Sequence, residues 1–428
     1  MHHDQRTWAL IASQQQALAK LEAAISDPSL HEMLSSPYTP QTWLSQAEIL
    51  ELRNIEDKES TLRAGRSLIG RTDRLERLRF RGTTSEPDPP SLNNIVSGLL
   101  PNISRATAGN QVPLRALYLD YFEVEDVRPD TLRMMKCDAL TELAIEGCFG
   151  TDEFLKTLEA CLETDGSSLK RIKVVTDDYI GDEDLRSFAG LLDLSTAMTM
   201  IWITFDSVST EDPSTFWASL KKQGPSLEDL VLRASDSDDL AEIDTILRAA
   251  SDLATNFPKL EQLCVNLPTM TMPMSTLSEL SDSLACIKHN ASLPELRCLS
   301  THTWPAIPTS VLRGVGAAEH DREEMVELME ARYMSLLGTF ALNLLQYIAS
   351  IRKDLGMPAL RVLCFLSSEY SPVCAENGRR LTLDEACYAL VKQTDRSGHS
   401  YESVRRTSED ELEYVDAYSQ EYFNDEMF

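Results

Sequence analysis

An α/β solenoid is the fold this 428-residue chain predicts: a curved parallel sheet on the concave face, helices on the convex face, and an N-terminal helical cap. Three observations predict it. Nine short segments share one pattern, apolar-x-x-apolar-x-apolar, beginning at Leu75, Leu114, Leu140, Leu169, Met198, Leu227, Leu260, Leu296 and Leu360. Their spacing is nearly regular: the intervals are 39, 26, 29, 29, 29, 33, 36 and 64 residues. The stretches between them carry apolar residues at helical spacing. A repeat of 20–50 residues is the signature of a stacked architecture in which no single unit buries its apolar face alone.

Each segment reads as a strand because alternate side chains face opposite ways. In Leu227-Glu-Asp-Leu230-Val-Leu232, Leu230 and Leu232 point one way, and Asp229, Val231 and Arg233 the other. The same apolar pair recurs as Leu117/Leu119, Leu143/Ile145, Ile172/Val174, Ile201/Ile203 and Leu263/Val265. Stacked as parallel neighbours, these pairs form an apolar ladder, and parallel strands need a crossover, usually a helix. Residues 152–162, with Phe154, Leu155, Leu158 and Leu162, supply one; 184–192 and 213–222 supply two more. Gly224-Pro225 stops the last of these. A longer helix is expected over 239–257.

The domain organisation follows. Residues 1–46 form the N-terminal helical cap. Trp8, Ile11, Leu18, Leu21 and Ile25 give 7–27 an amphipathic helical stripe that Asp27-Pro28 ends, and a short helix follows over 29–34. Such caps shield a terminal strand edge. The repeats span 47–302, with 47–52 as a degenerate first strand 28 residues before Leu75. Loops fall at 81–90 and 268–273. A loop and a long helical insertion occupy 303–358; Leu337, Phe340, Leu344, Ile348, Ile351 and Leu355 form its core-facing stripe, Gly338 divides it into two helices, and Gly356-Met-Pro358 ends it. The last repeat and C-terminal cap occupy 359–406, where 388–394 and 400–406 flank a turn in the manner of a hairpin. Residues 407–428 are an acidic tail without Lys or Arg.

The segments resemble the leucine-rich repeat, L-x-x-L-x-L-x-x-N/C. Leu140 to Cys148 matches through the cysteine, whereas Thr83, Phe122, Asp177, Asp206, Ser235 and Pro268 stand at the ninth position elsewhere, which marks a divergent repeat. The Gln-, Ala- and Leu-rich opening helix, then Asp27-Pro-Ser-Leu30, then irregular repeats, is also similar to fungal F-box/leucine-rich-repeat proteins downstream of their F-box. That resemblance implies a substrate receptor that binds a cullin-ligase adaptor. The Leu-Pro-x-Glu pattern of an F-box does not occur in the first 50 residues.

Composition narrows the functional classes. Net charge is −28, from 68 acidic and 40 basic residues, which argues against nucleic acid and against an anionic membrane surface. No run of 18 apolar residues predicts a membrane span. Nine cysteines without a C-x-x-C pair, and an N-terminus without an apolar signal core, fit a reducing compartment, cytoplasm or nucleus. No phosphate-binding glycine loop, nucleophile elbow, zinc spacing among the seven histidines or EF-hand loop is present, so no catalytic, cofactor or metal residue is nominated. Acidic runs such as Asp182-Glu183-Asp184 suit helix starts.

What remains is recognition by a protein partner. In such a solenoid the variable strand positions line the concave face. They place Arg77, Arg79, Arg171 and Lys173 on one face of an acidic protein, with Tyr118, Met200 and Trp202 between them. Arg and aromatic side chains dominate binding hot spots. The expected function is a non-catalytic interaction scaffold, with ligase substrate recognition as the alternative.

Overall fold

The computed structural model describes residues 19–36, 44–72, 74–83, 89–99, 114–176, 182–205, 214–234, 253–265, 287–288, 290–301, 305, 322–365, 386–394 and 400–406. The chain divides into two compact units, Met1–Gln223 and Gly224–Phe428.

The first unit is built on parallel strands in sequence order: β1 (Lys20–Ala24), β2 (Ile49–Ile55), β3 (Arg77–Gly82), β4 (Ala116–Asp120), β5 (Glu142–Glu146), β6 (Arg171–Val175) and β7 (Met200–Phe205). Helices cross between them: α1 (Pro28–Ser35), α2 (Glu59–Ile69), α3 (Leu92–Leu99), α4 (Pro129–Met134), α5 (Thr151–Asp165) and α6 (Asp182–Leu194), with α7 (Ser214–Gln223) after β7. Each repeat strand begins two residues after its expected segment does, so the apolar pattern marks the strands. The ladder runs in register, Leu50–Leu78–Leu117–Leu143–Ile172–Ile201, with Leu52–Phe80–Leu119–Ile145–Val174–Ile203 beside it, and all are buried. Its inner side meets the helices: a Cβ on Gly65 of α2 would touch Leu52, Ile25 and Leu99. The ninth repeat positions Thr83, Phe122 and Cys148 are buried at the corner after the strands, where the Cys148 thiol donates to the Leu119 carbonyl at 3.5 Å.

The N-terminal cap differs from expectation. Lys20–Ala24 is a strand, not the end of a helix, and the rest of that segment lies outside the described residues. Leu21, Ala23 and Ile25 satisfy a period of two as well as the helical stripe. Pairing of Leu21 with Leu50 and Ala23 with Leu52 buries them on the ladder, so sheet pairing overrides the helical preference of an Ala-rich segment. Asp27 caps α1 by accepting from the Ser29 N–H at 2.9 Å.

The second unit carries β8 (Asp229–Ala234), β9 (Gln262–Val265), β10 (Cys298–Thr301) and β11 (Val362–Phe365), parallel neighbours in that order. A hairpin, β12 (Ala386–Thr394) and β13 (Ser400–Arg406), adds to β11 antiparallel, as the sequence suggested. β10 and β11 pair directly although their segments start 64 residues apart, so the insertion leaves the sheet uninterrupted. Of the expected 239–257 helix only Leu253–Asn256, α8, is described. The loop at 268–273 and the acidic tail lie outside the described residues.

The insertion contains α9 (Arg322–Asp354), one continuous helix rather than two. Gly338 does not break it; a Cβ there would make ordinary contact with the Tyr388 ring at 3.8 Å. The part 331–354 is long and apolar enough to cross a membrane by length and composition. It is nevertheless one-sided: Tyr333, Leu337, Phe340, Ala341, Leu344, Leu345 and Ile348 are buried, and Arg332, Ser335, Thr339, Gln346 and Ser350 are exposed. The stripe does not continue to Leu355, which is exposed; Arg352 is buried in its place. Its guanidinium donates to the carbonyls of Leu293 at 2.7 Å, Ala291 and Pro294 at 3.1 Å, and Pro358. Gly356, at φ +70°, takes the left-handed turn that ends the helix.

Candidate functional site

The face of the first unit opposite its helices carries the variable residues in three rows set by register. The first row runs Ile49, Arg77, Ala116, Glu142, Arg171, Met200. The second runs Glu22, Glu51, Arg79, Tyr118, Ala144, Lys173, Trp202. The third runs Arg81, Asp120, Glu146, Val175, Thr204. All seven residues nominated from sequence lie on this face, in the first two rows. Arg79 and Lys173 are three strands apart, roughly 14 Å at the usual strand spacing.

Two of the four cations, Arg79 and Lys173, are neutralised within the face. Arg79 donates through Nε and Nη2 to Asp120 Oδ2, both at 2.8 Å. Lys173 Nζ pairs with Glu146 Oε1 at 2.6 Å and lies 5.0 Å from the centre of the Trp202 ring. Trp202 donates its indole N–H to Thr204 Oγ1 at 3.1 Å. Arg171 Nη2 donates to the Met200 sulfur at 3.0 Å. Towards the N-terminal strands, Arg53 bridges Glu51 at 2.6 Å and Glu22 at 2.9 Å. Arg81 stands 5.8 Å over the ring of Tyr121.

Burial sorts these groups. Lys173 and Met200 are buried, at 5% and 4% exposure, and serve as supports rather than contact surface. Arg77, Arg79, Tyr118, Arg171 and Trp202 remain half-exposed. Burial lowers the Lys173 pKa, against the pull of Glu146, which favours the charged ammonium. Asp120 is the most perturbed carboxyl on the face. Burial lifts it to about 6; Arg79 opposes the rise and the Glu146 charge adds to it. Its Oδ1 is buried without a hydrogen-bond partner among the described residues.

Asp120 and Glu146 were missed from sequence because only two of the three outward positions of each repeat were read. The signal was available: both stand six residues after their segment starts, at Leu114 and Leu140. A carboxylate pair can do acid–base chemistry; here each member is engaged by a cation, Asp120 by Arg79 and Glu146 by Lys173. Among the described residues no His, Cys, Asp or Glu group is arranged to hold a metal ion. The arrangement is a polar surface that carries Tyr118 and Trp202, the latter oriented by Lys173 and Thr204.

The equivalent face of the second unit is different. Cys264, Cys298, Val362 and Cys364 are buried there with Cys387 of β12, and Val231 packs against them. It presents an apolar thiol cluster where the first unit presents charge.

No family model and no curated protein matches the chain. Among solved structures the chain is similar to a structural-genomics protein from Bacteroides fragilis, with 14% identity and a TM-score of 0.32 over 57% of this chain. The match spans 63% of that protein, less than two thirds of its length.

Proposed function

We propose that the chain is a divergent leucine-rich repeat protein that acts as a non-catalytic scaffold, binding a protein partner on the variable face of its first unit. Arg77, Tyr118, Arg171 and Trp202 make the contact. Arg79, Lys173 and Met200 hold those groups in place. The observation that carries the reading is the second row. In it Tyr118 on β4 and Trp202 on β7 stand half-exposed in one in-register row, three strands apart, and Trp202 is held by its register partner Lys173 and by Thr204. Side chains already immobilised lose little entropy on binding, and aromatic and Arg groups so placed are typical anchors. The opposing charges on the same face favour a partner that is itself polar and mixed in charge.

Affinity purification with mass spectrometry tests this, comparing the wild type with Tyr118→Ala/Arg171→Ala/Trp202→Ala. Arg79 is left alone because its removal strands the buried Asp120 carboxylate. The triple variant should lose one or more partners by at least roughly tenfold, the order expected when hot-spot residues are truncated. Retention of every partner contradicts the proposal. A cullin adaptor among the partners would favour the ligase-receptor reading; its absence from the wild-type eluate would remove it.

A further inference from the structure

The register of the thiol cluster singles out one pair. Cys364 and Cys387 are direct partners across the antiparallel β11–β12 pair. Direct partners have Cα atoms about 4.5 or 5.5 Å apart, and both values lie within the roughly 4.4–6.8 Å range of disulfides. The Cys364 thiol is buried beside Cys298 and Cys387, and both neighbours raise its pKa. Cys298 is placed differently: its partner on β11 is Val362, so it lies diagonal to Cys364. Diagonal Cα atoms are about 7–8 Å apart, at or beyond the reach of a disulfide without backbone movement.

We propose that Cys364 and Cys387 are a reversible cross-strand disulfide pair, closed by exchange with a small disulfide such as glutathione disulfide, that locks the β12–β13 hairpin onto β11. In the exchange one protein thiol gives its proton to water and attacks a sulfur of glutathione disulfide; one glutathione leaves as thiolate and is protonated. The second protein thiol loses its proton and attacks the protein sulfur of the mixed disulfide, expelling the other glutathione. Two protein S–H bonds and one glutathione S–S bond become one protein S–S bond and two glutathione S–H bonds. Two electrons pass from protein to glutathione.

In the closed state both thiols are buried and exchange is slow, because the thiolate is the nucleophile and burial suppresses it. Opening of the hairpin supplies access. Among the described residues β12 pairs with β11 over Ala386–Tyr388 and with β13 over Tyr388–Thr394. The hairpin is further held where Phe365 meets Tyr388, ring centres 6.2 Å apart. An element more strongly joined within itself than to its neighbour opens as a unit. The bridge closes that route.

The test uses the full chain, incubated with glutathione disulfide, quenched with an alkylating reagent, digested without reduction and mapped by mass spectrometry. The expected product is a peptide linking Cys364 to Cys387, lighter by two hydrogens and lost on adding dithiothreitol. Hairpin amides should then exchange with solvent at least roughly tenfold more slowly. Cys387→Ser should abolish the linked peptide and Cys298→Ser should keep it. The proposal is overturned if the native chain stays reduced where the urea-unfolded chain oxidises, or if Cys364 links to Cys298 instead. Should Cys387→Ser not fold, the wild-type peptide map decides alone.

Discussion

Asp120 shows what single residues do on the variable face. Its carboxyl is buried, faces Glu146 across one strand spacing, and keeps Oδ1 unpartnered among the described residues. Burial raises its pKa from 3.8 to about 6, so the folded chain holds a proton that the unfolded chain has already released between those values. Stability contributed by the protonated form is therefore present below about pH 4 and is lost as pH rises through about 6. The loss is on the order of 3 kcal/mol. A carbon-detected NMR titration of the Asp120 carboxyl should give a midpoint near 6. A midpoint at or below the ordinary value would mean that Arg79 outweighs burial. Asp120→Asn should flatten the stability profile of the first unit across that window.

At the same scale Gly150, at φ +74° before α5, has a backbone role. A Cβ there would stand 2.6 Å from the Cα of Glu125, and L side chains rarely adopt that φ. Gly150→Ala should cost about 1–3 kcal/mol, the usual range for strain at such a site, read by urea unfolding of the first unit. An unchanged midpoint would show that the corner after β5 relaxes freely.

Among the elements, α9 makes the sharpest case. Its apolar stripe was legible because helical periodicity is local. The role of Arg352 was not, because the carbonyls it satisfies lie at Ala291, Leu293 and Pro294, about sixty residues away in sequence. Replacing it with Leu removes the guanidinium donors from those carbonyls, of which Leu293 keeps only the Leu296 N–H among the described residues, at a cost on the order of 3 kcal/mol. Lys353→Leu on the exposed side should change stability by less than about 0.5 kcal/mol. Hydrogen exchange over residues 290–297 should rise in the first variant only. Equal behaviour of the two would sink the pinning role of Arg352.

Strand β1 teaches the opposite lesson. Lys20–Ala24 has helix-favouring residues and fits a helical stripe, yet it pairs with β2. Period-two and period-3.6 readings coincide over so short a segment, and only the partner strand decides between them. The repeat strands were legible because nine copies of one alternation reinforce each other. Cys387, on a strand outside the repeat, had no such support.

At the scale of the whole chain, the repeat fixes which side chains share a face, and register then fixes which of them touch. The seven nominated residues do share one face. The neutralisation of Arg79 by Asp120 and of Lys173 by Glu146 was invisible because it joins different strands through a row of positions left unread. Two buried members, Lys173 beside Glu146 and Met200 beside Arg171, change from contact groups to supports. The first unit thus offers polar and aromatic groups on its variable strand positions, and the second unit buries thiols at the equivalent ones.

The central claim is that the first-unit face is the binding surface. Hydrogen-exchange footprinting of the full chain, free and with a partner captured by affinity purification, tests it most directly. The account predicts slowed exchange in peptides covering β3 to β7, centred on Tyr118 and Trp202, with peptides of α5 and α6 unchanged. Protection confined to the helices, or to the second unit alone, would contradict it.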